Sequence, residues 1–379
     1  MTVRKQKICC IIGTRPECIK VAPVARALQK NENFECIVVS TGQHTDILEH
    51  TFSDLKFSPD VKLKTMVPGQ SLSSLTGRLF EQLGSALEEI KPDMILVQGD
   101  TTSSMVGAMI GFYQKIPVGH IEAGLRSYNL NSPFPEEMNR QLIGILASVH
   151  FAPTPKALEN LKAEGKNSDD LMETGNTGID TLLSTALDAR KVGVSLPGNV
   201  SLFLASYPRF CLITAHRREN FGVGIRSICA GIRSAARRVP EVGFLMCVHP
   251  NPNVQGVVED LLKGCENITL IPPVDYSQFV HLMDLSSIIV TDSGGVQEEA
   301  PSLVKPILVT RNETERPEGI EAGCAKLVGT DQDLIEKSIV ELLTNQEFYQ
   351  SMAASKNPYG DGQASSRIAR FLSEYLNDE

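Results

Sequence analysis

The sequence predicts an α/β protein of two doubly wound domains, each built on a parallel sheet, and three observations predict it. Short apolar runs rich in β-branched residues alternate with amphipathic stretches from end to end. Those runs are continuously apolar rather than alternating, as in strands covered on both faces. The alternation is interrupted once, near the middle of the 379 residues, a length that suits two or three domains at about 150 residues each.

The predicted strands are Ile8 to Ile12, Ile37 to Val39, Met94 to Val97 and Val118 to Ile121, then Cys211 to Thr214, Phe244 to Val248, Ile268 to Ile271, Ile288 to Thr291 and Ile307 to Val309. Helical spacing is read over Pro16 to Lys30, Leu72 to Lys91, Thr102 to Gln114, Ile225 to Arg238, Leu334 to Leu343 and Ala364 to Leu376. Between Leu182 and Tyr207 the strands disappear and the chain passes through Ser195-Leu196-Pro197-Gly198-Asn199, a turn-rich stretch read as the link between domains. The expected boundaries are 1–185 for a Rossmann-like N-terminal domain and 200–362 for a second.

Lys+Arg number 36 and Asp+Glu 45, giving a net charge of −9 without a basic block. Nucleic acid and anionic membrane are therefore not expected as partners. No apolar run approaches the roughly 18 residues of a membrane span. Arg4, Lys5 and Lys7 imitate the start of a signal peptide, but the apolar run behind them ends at once in Gly13-Thr14-Arg15-Pro16; a cytoplasmic protein is expected. Nine cysteines, without a C-x-x-C pair or histidines at ligand spacing, suit a reducing compartment and no metal.

Ligands of doubly wound sheets sit beyond the carboxyl ends of the strands, so chemistry is expected just after them. Thr291-Asp292-Ser293-Gly294-Gly295-Val296-Gln297-Glu298-Glu299 reads as strand end, glycine turn and helix start, where backbone N–H groups can meet phosphate oxygens. One turn on, Glu299 could accept from a ribose diol; a plain helix cap with solvated acids is the alternative. Gly13-Thr14-Arg15-Pro16-Glu17 puts a guanidinium after the first strand, Pro16 at the first helical position and Lys20 a turn later, two cations that suit a diphosphate.

Neither G-x-x-x-x-G-K-[ST] nor a complete dinucleotide fingerprint is present, so no cofactor is expected. Asp100, in Gly99-Asp100-Thr101-Thr102, is either a helix N-cap or a functional acid. Glu122 ends an apolar strand, an expensive place for an idle carboxylate. Glu136 opens a helix after Pro133-Phe134-Pro135, where an acid can simply complement the helix dipole. His216 precedes Arg217 and Arg218, favouring an anion site over a metal. Three carboxylates near a phosphate site suggest acid–base work on a nucleotide-linked substrate, and glycosyl transfer and sugar isomerisation both fit.

Taken together with His120-Ile121-Glu122-Ala123-Gly124-Leu125-Arg126, Asn139-Arg140, Gly175-Asn176-Thr177, His216-Arg217-Arg218-Glu219-Asn220 and Glu315-Arg316-Pro317-Glu318, these motifs run in order over nearly the whole chain. In this the sequence resembles the bacterial non-hydrolysing UDP-N-acetylglucosamine 2-epimerases. The resemblance implies GT-B architecture, with an active site in the interdomain cleft and a final helix, 363–379, crossing back to the first domain. It implies reversible conversion of UDP-N-acetylglucosamine to UDP-N-acetylmannosamine by anti elimination of UDP and syn re-addition through a 2-acetamidoglucal, supplying cell-surface polysaccharide precursors.

By resemblance Asp100, Glu122 and Glu136 match the catalytic acids, and His216 the histidine facing the leaving phosphate. Arg15, Lys20, Ser293, Gly294 and Gly295 match the diphosphate site, Glu299 the ribose site, Phe279 the uracil region and Arg316 the sugar side. Thr41-Gly42-Gln43-His44 and Pro68-Gly69-Gln70 are similar to segments that bind a second UDP-N-acetylglucosamine as activator, which assigns Gln43, His44 and Gln70 to that site; Gly42 stands where many members have Ala. A homodimer is implied, with Leu72 to Lys91 and Thr102 to Gln114 as candidate interface helices or, equally, ordinary sheet cover. A hydrolysing epimerase, a GT-B glycosyltransferase and a sugar-nucleotide sensor without turnover are the rival readings.

Overall fold

A computed structural model describes residues 4–43 and 46–376. The chain divides into two compact units, Met1–Thr181 with Tyr359–Glu379, and Leu182–Pro358.

The first unit holds β1 (Gln6–Ile12), β2 (Phe34–Ser40), β3 (Val61–Lys62), β4 (Met94–Gln98), β5 (Val118–Ile121), β6 (Val149–Ala152) and β7 (Leu171–Glu173). They lie in the order β3-β2-β1-β4-β5-β6-β7, and every neighbouring pair is parallel. Ile8 to Ile12 and Met94 to Val97 are fully buried, as the continuous apolar runs require of strands covered on both faces. The covering helix Leu72–Ile90 buries Leu75, Leu79, Leu83 and Leu87 at four-residue spacing, one stripe of a 3.6-residue period. Thr102–Gln114 packs so closely on the sheet that a Cβ on Gly107 would lie 2.5 Å from Ile11 Cδ1.

The second unit holds β8 (Phe210–Ala215), β9 (Gly243–Val248), β10 (Ile268–Ile271), β11 (Ile288–Thr291), β12 (Ile307–Val309) and β13 (Ala325–Leu327). Their order is β10-β9-β8-β11-β12-β13, again parallel throughout. Helices Val223–Arg238 and Gln332–Thr344 close one face with Ile225, Ile228, Ile232, Ile335, Ile339 and Leu342, all buried.

In each sheet the strand order reverses once, between β1 and β4 and between β8 and β11. The loops diverging there leave a crevice at the carboxyl ends, where ligands of such sheets bind. Four motifs singled out by the sequence follow these four strands. The stretch read as a turn-rich link is largely helical: Thr177–Val192 and Gly198–Ser206 flank a short loop. The final helix, Ala364–Tyr375, belongs to the first unit. Asp180 accepts from its Ala364 and Ser365 N–H groups at 3.2 and 2.8 Å, and Phe371 meets Phe151 edge-on at 5.5 Å.

Candidate active site

In the first unit, Thr14 caps the helix Arg15–Gln29 with its backbone, so Pro16 takes the second helical position rather than the first. Arg15 is half-buried and makes no hydrogen bond or ion pair among the described residues. Lys20 pairs with Glu122 Oε1, whose other oxygen accepts from the buried Gln98 side chain. Lys20 is thus the counter-charge of a site carboxylate, a role its spacing from Arg15 had not revealed. Glu122 sits at φ +66°, a left-handed conformation that costs a non-glycine residue roughly 1–2 kcal/mol. It turns the chain sharply off β5 at the crevice.

Asp100 is not the helix cap; Thr101 is, its hydroxyl accepting from Ser104 N–H at 3.1 Å. That leaves the Asp100 carboxylate to Arg140, whose Nε donates to Oδ2 at 3.1 Å and whose Nη2 reaches the same oxygen. Two more bonds fix the local backbone: Asn139 Nδ2 donates to Asp100 O at 2.8 Å, and the His120 ring nitrogen Nε2 lies 2.7 Å from Gly99 O. Burial pushes His120 down to about 3, so the ring is neutral and Nε2 carries its proton to that carbonyl.

Glu136 begins the helix Glu136–Leu146, is half-buried, and has no partner among the described residues. Its neighbour Glu137 is fully buried. Glu137 accepts from Ser127 N–H at 2.9 Å, Tyr128 N–H at 3.0 Å, Gln141 at 2.8 Å and Arg140 at 3.3 Å. Burial opposes its ionisation, yet these donors outweigh burial and hold its carboxyl below the usual range. Paired acids at a helix start were the signal for this site. Only folding distinguishes the one that builds it from the one left unpaired.

In the second unit, the loop after β8 is tied down by the buried Asp292 after β11. Asp292 accepts from His216 N–H at 2.9 Å, Arg217 N–H at 2.9 Å and Asn220 Nδ2 at 3.1 Å, and its Oδ1 lies 3.2 Å from His216 Nδ1. Here too burial raises the carboxyl pKa, but the bonds from His216 and Arg217 outweigh it and set it below normal. His216 stacks on His249 at 5.5 Å between ring centres. Glu219 pairs with Arg311 at 2.6 Å, so acids of both motifs serve to hold the loop.

Ser293 precedes the short helix Gly294–Glu299. A Cβ on Gly294 would lie 3.5 Å from Arg217 Nη2 and 3.9 Å from Arg316 Nη2, so the glycine turn is flanked by two guanidinium groups. Arg316 is balanced by Glu298. Arg217 was visible in the motif but is here placed beside the turn. Glu299 accepts from the Tyr276 hydroxyl at 3.0 Å, and Phe279 is half-buried on the same helix as Tyr276, Tyr276–Leu285.

Gln43 Oε1 accepts from Ser103 Oγ at 2.8 Å, and Gln70 Oε1 accepts from Val67 N–H at 3.1 Å and from Arg78. His44 lies outside the described residues. Gly42 has φ +69°, and a Cβ there would lie 2.4 Å from Leu63 O, which explains glycine at this position. Among the described residues, no cluster of His, Cys, Asp and Glu could hold a metal ion, and no helix is long and apolar enough to cross a membrane.

Two doubly wound sheets, with acids at one switch point and a histidine, arginines and a glycine turn at the other, define a protein of the nucleotide-binding α/β class. The family model described as UDP-N-acetylglucosamine 2-epimerase matches residues 26–373. The UDP-N-acetylglucosamine 2-epimerase of Yersinia pestis is 45% identical over 372 residues, covering 97% of this chain and 99% of that protein. The UDP-GlcNAc 2-epimerase of Neisseria meningitidis, solved bound to UDP-GlcNAc, is 44% identical with a TM-score of 0.86, covering 97% of this chain and 100% of that one. The S. aureus MnaA structure with UDP is 41% identical with a TM-score of 0.87, covering 98% and 97%. The chain belongs to the UDP-N-acetylglucosamine 2-epimerase family.

Proposed function

We propose that the chain interconverts UDP-N-acetylglucosamine and UDP-N-acetylmannosamine without hydrolysis. One observation carries the reading: three carboxylates at the carboxyl end of one sheet stand in three different settings. Glu122 faces a lysine, Asp100 an arginine, and Glu136 nothing. Inverting C2 by elimination needs one group to take the C2 proton and another to return a proton from the opposite face. Groups in opposed environments are suited to those opposed duties.

In the elimination, the C2–H electrons form the C1=C2 bond as the C1–O bond breaks, and UDP leaves with the bonding pair. In re-addition a proton enters C2 from the other face and a diphosphate oxygen re-forms the bond to C1. No net oxidation occurs. His216, Arg217, Arg316 and the Ser293-Gly294-Gly295 turn supply donors and positive charge for the departing diphosphate, Glu299 is suited to the ribose, and Phe279 to the uracil region. The relatives solved with UDP-GlcNAc and with UDP support that substrate.

The same reading includes a cytoplasmic homodimer that supplies cell-surface polysaccharide precursors and is activated by a second UDP-N-acetylglucosamine at Gln43, His44 and Gln70. The helices Leu72–Ile90 and Thr102–Gln114 support a dimer face, because Phe112 and Tyr113 are 61% and 66% exposed and Tyr113 stacks on Phe80. Chromatography of the products from purified protein and UDP-N-acetylglucosamine tests the activity. UDP-N-acetylmannosamine in constant ratio to remaining substrate is expected; stoichiometric UDP with free N-acetylmannosamine would make the enzyme hydrolysing, and no reaction without an acceptor would favour a transferase or a sensor.

A further inference from the structure

Glu17 is an acid in the first turn of a helix, where such residues ordinarily stand in water and complement the dipole. Here it is 1% exposed. Its Oε2 accepts from Gly13 N–H at 3.0 Å and the Thr14 hydroxyl at 2.8 Å; its Oε1 accepts from the hydroxyls of Thr101 at 2.6 Å and Ser104 at 2.8 Å. All four donors are neutral, and burial pushes its carboxyl pKa up against them. A buried carboxylate without a cation is costly to keep. The arrangement of its donors supplies a reason to keep it.

Two donors belong to the Gly13-Thr14 loop after β1, which leads into Arg15 at the start of its helix, and two to the start of the helix after β4, adjoining Asp100. These loops flank the switch point of the sheet. The segment Gly99-Asp100-Thr101 is held at three points: His120 on Gly99 O, Asn139 on Asp100 O and Glu17 on the Thr101 hydroxyl. The last also bonds across to the Gly13-Thr14 loop. Resting on the epimerase reading, we propose that Glu17 is a positioning residue for that reaction, fixing the spacing between the Arg15 loop and the Asp100 loop without itself touching substrate.

Glu17→Gln can preserve the tie, since its amide oxygen still accepts from Gly13 and Thr14 while its NH2 donates to the two hydroxyl oxygens. Glu17→Ala cuts it, and Ser104→Ala removes one donor from the far side, together with that hydroxyl's bond to Gln98 O, without burying a new charge. A misplacement near 1 Å costs on the order of 100-fold in rate. Per folded molecule, kcat is therefore expected to fall on the order of 100-fold in Glu17→Ala and several-fold in Ser104→Ala, with KM little changed; the melting temperature of Ser104→Ala should fall modestly, because the buried Ser104 hydroxyl also bonds Gln98 O at 2.7 Å. Glu17→Gln should recover most of the rate and keep both limbs of the pH profile.

An unchanged kcat in Ser104→Ala and Glu17→Ala, with only the melting temperature lowered, would overturn the proposal. So would a pH limb that vanishes in Glu17→Gln, because Glu17 would then be moving a proton itself. If Glu17→Ala does not fold, Ser104→Ala and Glu17→Gln decide. Inactive wild-type protein would defeat the epimerase reading and the assignment with it; active wild type with insensitive variants would defeat the assignment alone.

Discussion

Asp292→Asn should change the tautomer of His216 while leaving its surroundings in place. Oδ2 takes the N–H groups of His216 and Arg217 and the Asn220 amide, at 2.9, 2.9 and 3.1 Å. The amide oxygen of Asn must occupy that position, because an NH2 group there would face three donors. Its NH2 then replaces Oδ1, which lies 3.2 Å from His216 Nδ1 and also accepts from the His216 N–H at 3.1 Å. One donor rather than three is opposed, and the NH2 points at Nδ1. With a donor in front of it, Nδ1 must accept, and the ring proton moves to Nε2.

A ring whose Nδ1 faces an NH2 group instead of a carboxylate cannot carry a proton on both nitrogens, so on the reading proposed above, in which His216 faces the leaving phosphate, it loses most of its acid–base contribution, worth about 10²- to 10⁴-fold. Three bonds also weaken from charge-assisted to neutral, at about 1 kcal/mol each, so the second unit should lose roughly 3 kcal/mol. The assay is kcat for the two UDP sugars together with 15N NMR of labelled histidine, which reads the tautomer directly. A kcat within threefold of wild type, or unchanged His216 nitrogen shifts, would refute the reasoning.

Asp100→Asn, Glu122→Gln and Glu136→Gln should each abolish turnover while leaving UDP affinity by calorimetry within a few-fold; equal loss of affinity in all three would make them binding residues. Glu137→Ala strands the N–H groups of Ser127 and Tyr128 and should cost about 3 kcal/mol in urea unfolding. Because the folded pKa of Glu137 is depressed, its contribution is complete above the unfolded value near 4.5 and is lost as pH falls through the folded value. Unfolding midpoints should therefore fall more steeply below pH 4.5 in wild type than in Glu137→Gln. Gly42→Ala forces a side chain into left-handed backbone and onto Leu63 O, and should lower the melting temperature and, on the activator-site reading proposed above, weaken activation by UDP-N-acetylglucosamine; a variant unchanged in both would contradict this.

The sheets were legible because strands covered on both faces run continuously apolar, as Ile8 to Ile12 and Ile288 to Val290 do. The unforeseen strands lack that mark. β3 has two residues, β7 is Leu-Met-Glu, β13 is Ala-Lys-Leu, and β6 includes His150, which burial keeps neutral by moving its pKa down to about 4. The positions of Asp100, Glu122 and His216 followed from the rule that loops at strand carboxyl ends carry chemistry. Their partners did not. Asp100 and Thr101 are both competent caps, and only Arg140, 40 residues away, shows which one is spared. The donors from Thr101 and Ser104 to Glu17 lie 84 and 87 residues off, and no local spacing encodes them.

Reversible elimination is tested most directly by proton NMR of purified protein with UDP-N-acetylglucosamine in D2O, without metal, nicotinamide cofactor or acceptor. Deuterium should enter C2 as the anomeric signal of UDP-N-acetylmannosamine grows, since the proton removed from one face exchanges with solvent before one is returned to the other. UDP-N-acetylmannosamine that forms with its original C2 proton fully retained would contradict exchange through an elimination intermediate.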